Sequence, residues 1–173
     1  FVRFEEENVD VAVRIGTLED SAAFAQRLRN LSWITAAAPS YLERHGIPGS
    51  PAALARHQCL KFSLPNGRLQ EWSFATDGVV SKLDVRGPLT ADLGEGLVEA
   101  ALAGVGLIQA HDYMLAPEIA SGRLLEVLRP YAALGPPISV LCAPGRRRSP
   151  KVRAFAAFAA SVIGELSDTA RAP

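Results

Sequence analysis

The chain has 173 residues and balances 18 basic against 18 acidic side chains, so no net field draws it to nucleic acid or an anionic membrane surface. Apolar residues make up 49% and charged residues 21%, a globular balance that can bury a core in one domain or in two small lobes sharing a hinge. No run approaches the ~20 apolar residues of a membrane-spanning helix, and no basic-then-apolar signal segment opens the chain.

Cys59 and Cys142 lie far apart, each in an apolar run, the pattern of buried free thiols in a reduced, cytoplasmic protein. Phe1 opens the chain without a methionine, so the sequence reads as a piece of something longer. Val9 to Ile15 alternates and is β-branched, which predicts a strand ending at Gly16. Leu18 to Asn30 is mixed, and Phe24, Arg27 and Leu28 are spaced for an irregular helical turn. Leu31 to Ala37 predicts a second strand. Pro39 suits the first turn of a short helix, Ser40 to His45, that Gly46 terminates, although Ala38 holds the place of a capping residue. Pro51 to Arg56 suits another short helix.

Strands are expected at Cys59 to Ser63, Glu71 to Ala75 and Val79 to Leu89, with Asp77-Gly78 as a hairpin turn between the last two. Asp112 to Ser121 has helical composition, and Pro117 inside it predicts two short turns or a late start. Leu124 to Leu128 reads as a strand, Pro130 to Pro137 as a loop, and Ile138 to Cys142 as a buried strand. Ser149 and Pro150 then open the best helix of the chain. Val152, Phe155, Phe158, Ala159, Val162, Ile163 and Leu166 fall on its one apolar face, and the tail from Asp168 is expected to fray.

The most organised stretch is Leu89 to Ile108, LTADLGEGLVEAALAGVGLI. Asp92 and Glu95 have the spacing of a capping box, and Leu93, Leu97, Ala101 and Leu102 form an apolar stripe behind it. Gly104 and Gly106 stop the helix, and Leu107 to Ala110 reads as a buried strand. The order is strand, helix, strand, a β-α-β unit whose helix opens at a strand's carboxyl end, where open α/β sheets bind ligands. Strands alternate with helices throughout, which predicts an α/β fold.

An ordered series of motifs runs along the whole chain: DVAVRIG at 10–16, YLERHGIPGSPAALARHQCLKFS at 41–63, Trp72-x-Phe74, DLGEGLVEAALAGVGL at 92–107, ASGRLLEVL at 120–128 and SPKVRAFAAF at 149–158. The series resembles the effector-binding domain of LysR-type transcriptional regulators. That resemblance implies a two-lobed, periplasmic-binding-protein-like fold of the second type, with crossing strands at Leu31 to Ala38 and Ile138 to Ala143. It implies a first lobe of 1–38 with 138–173, truncated at its N-terminus and including the hinge strands, and a second lobe of 39–137. It implies a ligand-sensing domain that binds a small-molecule effector between its lobes and modulates DNA binding by the full-length oligomer.

In that family the DNA is read by an N-terminal domain that lies outside this sequence. The Asp112 to Ser121 segment corresponds to a dimer-forming helix. Carried over position by position, the effector-binding residues are Arg14, Ile15, Thr35, Ala36, Thr90, Ala91, Asp92, Gln109 and His111. His111 stands where the family often has proline. A transporter's solute-binding protein shares the fold and is the alternative.

Other chemistries find little footing. His45, His57 and His111 have no metal-ligand spacing with one another or with the cysteines, so no metal is expected. Gly94-x-Gly96 lacks the third glycine of a dinucleotide fingerprint, and no cofactor is expected. No G-x-S-x-G and no Ser, His and acid in a nucleophile's arrangement occur, so no enzyme activity is expected. Arg146-Arg147-Arg148 reads as a solvated loop, yet it opposes the dipole of the helix it precedes.

Overall fold

The computed structural model describes residues 4, 9–16 and 24–171, with side-chain surroundings given to residue 164. In chain order the strands and helices are β1 (Val11–Ile15), β2 (Phe24–Ala37), α1 (Pro39–His45), β3 (Lys61–Phe62), β4 (Trp72–Thr76), β5 (Val79–Leu83), β6 (Thr90–Ala91), α2 (Gly94–Leu102), β7 (Ile108–His111), α3 (Asp112–Ala120), β8 (Leu125–Val127), β9 (Leu134–Cys142) and α4 (Pro150–Arg171). Short 3₁₀ helices occupy Pro51–Arg56 and Arg129–Tyr131. The chain divides into two compact units, Phe1–Leu31 with Gly135–Pro173, and Ser32–Leu134.

In the first unit β9 lies between β1 and β2. β1 pairs antiparallel with β9, from Val11 opposite Cys142 to Ile15 opposite Ile138. The ladder is closed at both ends, where Gly16 N donates to Pro137 O at 2.9 Å and Ala143 N to Asp10 O at 3.0 Å. α4 follows and buries Val152 and Ala159.

The second unit is built around a parallel core. Lys61 and Phe62 of β3 pair with Thr90 and Ala91 of β6, and Cys59 bridges Leu107 in parallel on the other side. The connection from β6 through α2 into Leu107 and β7 is therefore the expected β-α-β unit. Gly106 is required there by contact: a Cβ would stand 2.5 Å from the Gln58 carbonyl oxygen. Leu107 and that carbonyl then share a 2.8 Å bond. β7 and β8 both pair antiparallel with the end of β2, β7 through Thr35 opposite Gln109 and β8 through Thr35 opposite Val127.

Two apolar clusters fill this unit. Leu60, Leu97, Ile108, Leu115 and Leu124 centre one, and Tyr41, Leu54, Trp72, Phe74 and Leu107 the other. Tyr41 is fully buried, and its hydroxyl accepts from Gln58 N at 2.9 Å and meets His57 Nδ1 at 3.2 Å. Both cysteines are free and buried, and burial pushes the Cys59 thiol up to about 12.

Several elements depart from the sequence reading. Phe24 to Asn30 is not a helical turn but the first half of β2. The Phe24, Arg27 and Leu28 spacing was compatible with a helix, but an open sheet edge supplies more backbone bonds than one isolated turn. Leu18 to Ala23, the first part of that mixed stretch, lies outside the described residues. β5 stops at Leu83 rather than running to Leu89, because Gly87 and Pro88 cannot both support a strand there. α3 continues through Pro117 as one helix. In nine residues the missing proline N–H costs a single ladder bond, and the Pro117 carbonyl still accepts from Ser121 N at 3.1 Å.

β9 begins at Leu134, inside the expected loop, and contains Pro136 and Pro137. The expected apolar face of α4 is split: Val152 and Ala159 are buried, while Phe155, Phe158 and Val162 are exposed. The side chain of Leu166 lies outside the described residues. The helix backbone continues through Asp168 to Arg171, where fraying was expected.

Candidate functional site

Three parallel strands bring their carboxyl ends together in the second unit and leave a cavity of about 300 Å³ there. Phe62 and Leu64 come from the end of β3, Gly94 and Glu95 from the first turn of α2, and Gln109, Ala110 and His111 from β7. Trp33 of β2 and Tyr113 and Met114 of α3 complete the wall. Ligands of open α/β sheets bind at this end of the strands, because the helices that follow them turn their free N–H groups the same way.

The wall is dominated by rings. The Trp33 and His111 centroids are 4.1 Å apart, and the His111 and Tyr113 rings stack at 6.2 Å with 24° between their planes. Among the described residues no lysine or arginine lines the cavity, and Glu95 is its one carboxylate. Burial raises the Tyr113 phenol first, and the nearby Glu95 and Asp112 charges raise it further, so its hydroxyl stays neutral and can donate. Aromatic faces, one neutral phenol and one carboxylate suit a planar uncharged molecule with a donor group.

Gln109 is where sequence and geometry meet most informatively. Its Oε1 accepts from Ser73 N at 2.7 Å, and its Nε2 donates to Ser73 O at 3.0 Å and to Thr35 Oγ1 at 3.3 Å. One side chain thus ties β4, β2 and β7 together, and its hydrogen-bonding capacity is nearly used. It forms part of the wall while its polar atoms are committed to the scaffold.

The other residues carried over from the resemblance are distributed widely. His111 is on the cavity wall. Thr35 is buried behind Gln109, and Ala36 lies fully within the apolar core. Thr90 and Asp92 are exposed, Ala91 is half-buried against the core, and none of the three lines the cavity. Arg14 and Ile15 belong to β1 of the first unit, opposite Ser139 and Ile138.

The capping box is a correction. α2 begins at Gly94 with Leu93 as its N-cap, and no side chain caps it. Asp92 sits one residue too early because Ala91 is still held in β6, where its carbonyl accepts from Ser63 N at 2.8 Å. Leu93, expected in the buried stripe, is 60% exposed, and Val98 takes a place in the core instead. Gly94 lines the cavity, and a Cβ there would stand 2.6 Å from the Met114 methyl.

Trp33, Phe62, Tyr113 and Met114 were not singled out from the sequence. Period-2 alternation in LSWITAA does put Trp33 on the same strand face as Thr35, a usable signal. Nothing local marked Phe62 or Met114, which reach the cavity only through the crossover.

The LysR substrate binding domain family matches residues 2–163. The chain belongs to that family. Among its relatives is the HTH-type transcriptional regulator CrgA of Neisseria meningitidis serogroup B, 35% identical over 128 residues, which are 74% of this chain and 42% of that protein. An HTH-type transcriptional regulator of Xanthomonas campestris is 35% identical over 153 residues, 86% of this chain and 44% of that protein. The chain spans about half the length of the curated relatives it matches. The regulatory domain of N. meningitidis CrgA has the same fold, with a TM-score of 0.79 and 29% identity over 91% of this chain and 77% of that one. The two-lobed α/β architecture expected of this LysR-family domain, periplasmic-binding-protein-like of the second type, is therefore its fold. The relatives are transcriptional regulators, and no helix among the described residues is long and apolar enough to cross a membrane.

Proposed function

We propose that this chain is the sensing part of a LysR-type transcriptional regulator, in which a small-molecule effector modulates DNA binding and transcription by a full-length oligomer. The observation that carries this reading is a ligand-sized, ring-lined cavity at converging strand ends, in a member of a family whose relatives regulate transcription. The proposed effector is planar and uncharged. Trp33, His111 and Tyr113 bind its faces, and Glu95 accepts from its donor group. Gln109 acts from behind by holding Ser73 and Thr35 in place. Ala36, Thr90, Ala91 and Asp92 are carried as positioning candidates in the same unit, and Arg14 and Ile15 as candidate contacts of the first unit.

The rest of the reading concerns the whole protein. DNA is bound by a helix-turn-helix domain outside these residues, self-association uses the Asp112 to Ser121 segment, and the protein works in the cytoplasm without catalysing a reaction. The transporter alternative is not favoured, since the relatives are regulators. An effector biases such a protein only through its affinity difference between two states.

The test is a dose–response measurement in the full-length regulator. Trp33→Leu and Glu95→Gln should each shift the effector response at least about tenfold and leave basal DNA binding intact, a loss of roughly 1.4 kcal/mol in effector binding. Unchanged curves in both variants would remove the cavity from the mechanism.

A further inference from the structure

The ladder between β2 and β7 ends on a side chain. Its register runs from Ala36 opposite Ile108 to Trp33 opposite His111, so the next pair in line is Ser32 with Asp112. Asp112 is already the first residue of α3, where the backbone has turned into the helix. Its carboxylate stands in for the strand: Ser32 N donates to Asp112 Oδ2 at 3.3 Å, although the two residues are 80 apart in sequence. Tyr113 N donates to the other oxygen, Oδ1, at 2.9 Å, and so fixes the orientation of the carboxylate itself.

A helix needs no such arrangement, because an exposed acid in the first turn already complements its dipole. Asp112 is instead only 5% exposed, a costly place for a carboxylate unless its bonds matter, and one of its oxygens is committed to a strand outside its helix. The residue after Ser32 is Trp33, whose ring lines the cavity 4.1 Å from that of His111. Trp33 N donates to Ala133 O at 3.0 Å. Successive N–H groups of a strand point to opposite sides, so the backbone entering Trp33 is held from both. Asp112 itself does not line the cavity.

We infer that Asp112 is a positioning residue of the sensing cavity: its carboxylate closes the β2–β7 ladder and holds Trp33 where its ring meets an effector face. This rests on the proposal that the cavity takes a planar, uncharged effector. Asp112 acts through the Ser32 backbone, so its substitution leaves every side chain of the wall in the chain and loosens the placing of one. Binding groups work only when neighbouring hydrogen bonds hold their geometry.

The test is titration with indole, a planar uncharged molecule with one N–H donor, followed through the ¹³C-labelled methyl of Met114, the single methionine and part of the wall. Indole should shift that resonance saturably in the unsubstituted chain. Asp112→Asn keeps one oxygen but turns an amino group into the carboxylate's place, and should weaken indole at least about fivefold below its melting transition. Trp33→Leu should weaken it at least about tenfold. In the Trp33→Leu background, Asp112→Asn should weaken indole less than about twofold, because the ring it positions is gone. A role in folding alone would leave indole affinity unchanged or lower it equally in both backgrounds. Should Asp112→Asn fail to fold, Asp112→Glu keeps the charge, displaces the oxygens by one methylene, and should pass the same comparison with a loss of at least about threefold. Unsubstituted affinity in the folded Asp112 variant, or equal losses with and without Trp33, would overturn the positioning role and leave the sensing cavity standing. No saturable shift in the unsubstituted chain would remove the effector reading, and the positioning role with it.

Discussion

The cavity of the second unit and a groove of the first are built on opposite plans. The one in Ser32–Leu134 is lined by rings, contains no cation among the described residues, and commits its amide side chain, Gln109, to the scaffold. The groove in Phe1–Leu31 with Gly135–Pro173 is lined, among the described residues, by apolar side chains and three exposed arginines, and the side chains of Arg148 and Arg153 make no ion pair or hydrogen bond there. The difference separates a polar group that ties strands together from charged groups that hold no strand in place. Gln109 has its acceptor and both donors occupied at 2.7 to 3.3 Å, whereas the arginines oppose the helix end beside them. The first arrangement adds stability, and the second gives some up.

That contrast can be broken by substitution. Gln109→Ala should cost about 1–3 kcal/mol, since it strips partners from the buried Ser73 backbone and the Thr35 hydroxyl. Urea denaturation would measure it, and a loss near zero would mean that Gln109 is no structural tie. Arg148→Gln together with Arg153→Gln should change stability by no more than about 0.5 kcal/mol, with any change favouring the variant. A clear destabilisation by that pair would mean that the arginines hold the first unit together, and the contrast would fail.

Much of this architecture was legible before the structure. VDVAVRI, the Asp77-Gly78 turn, the Gly104 stop and ISVLC each carried a local signal that tertiary packing did not override. The β-α-β unit was legible because its periods change from 2 to 3.6 and back within one stretch. What was not legible depended on partners distant in sequence. β2 is strand from Phe24 because β9 lies beside it, and the start of α2 moved to Gly94 because β6 holds Ala91.

The site followed the same rule. Gln109 and His111 could be marked because they end a recognisable strand. The direction of the Gln109 amide depended on Ser73, which is 36 residues away. Met114 became a wall only where Gly94 leaves room for its methyl. Arg146, Arg147 and Arg148, read as a solvated loop, are exposed, with Arg146 paired to Asp10 and Arg147 over the Phe24 ring, contacts that no local pattern marked.

The central claim, that the cavity of the second unit is the sensing site, has a built-in reporter. Met114 is the only methionine in the chain and lies in the cavity wall, so ¹³C-methyl-methionine labelling yields a single resonance from the site itself. Titration with a library of planar neutral aromatics and their carboxylate counterparts should shift that resonance saturably for neutral members and leave it in place for the carboxylates. A library in which no neutral compound moves it, or in which carboxylates move it with equal affinity, would contradict the account.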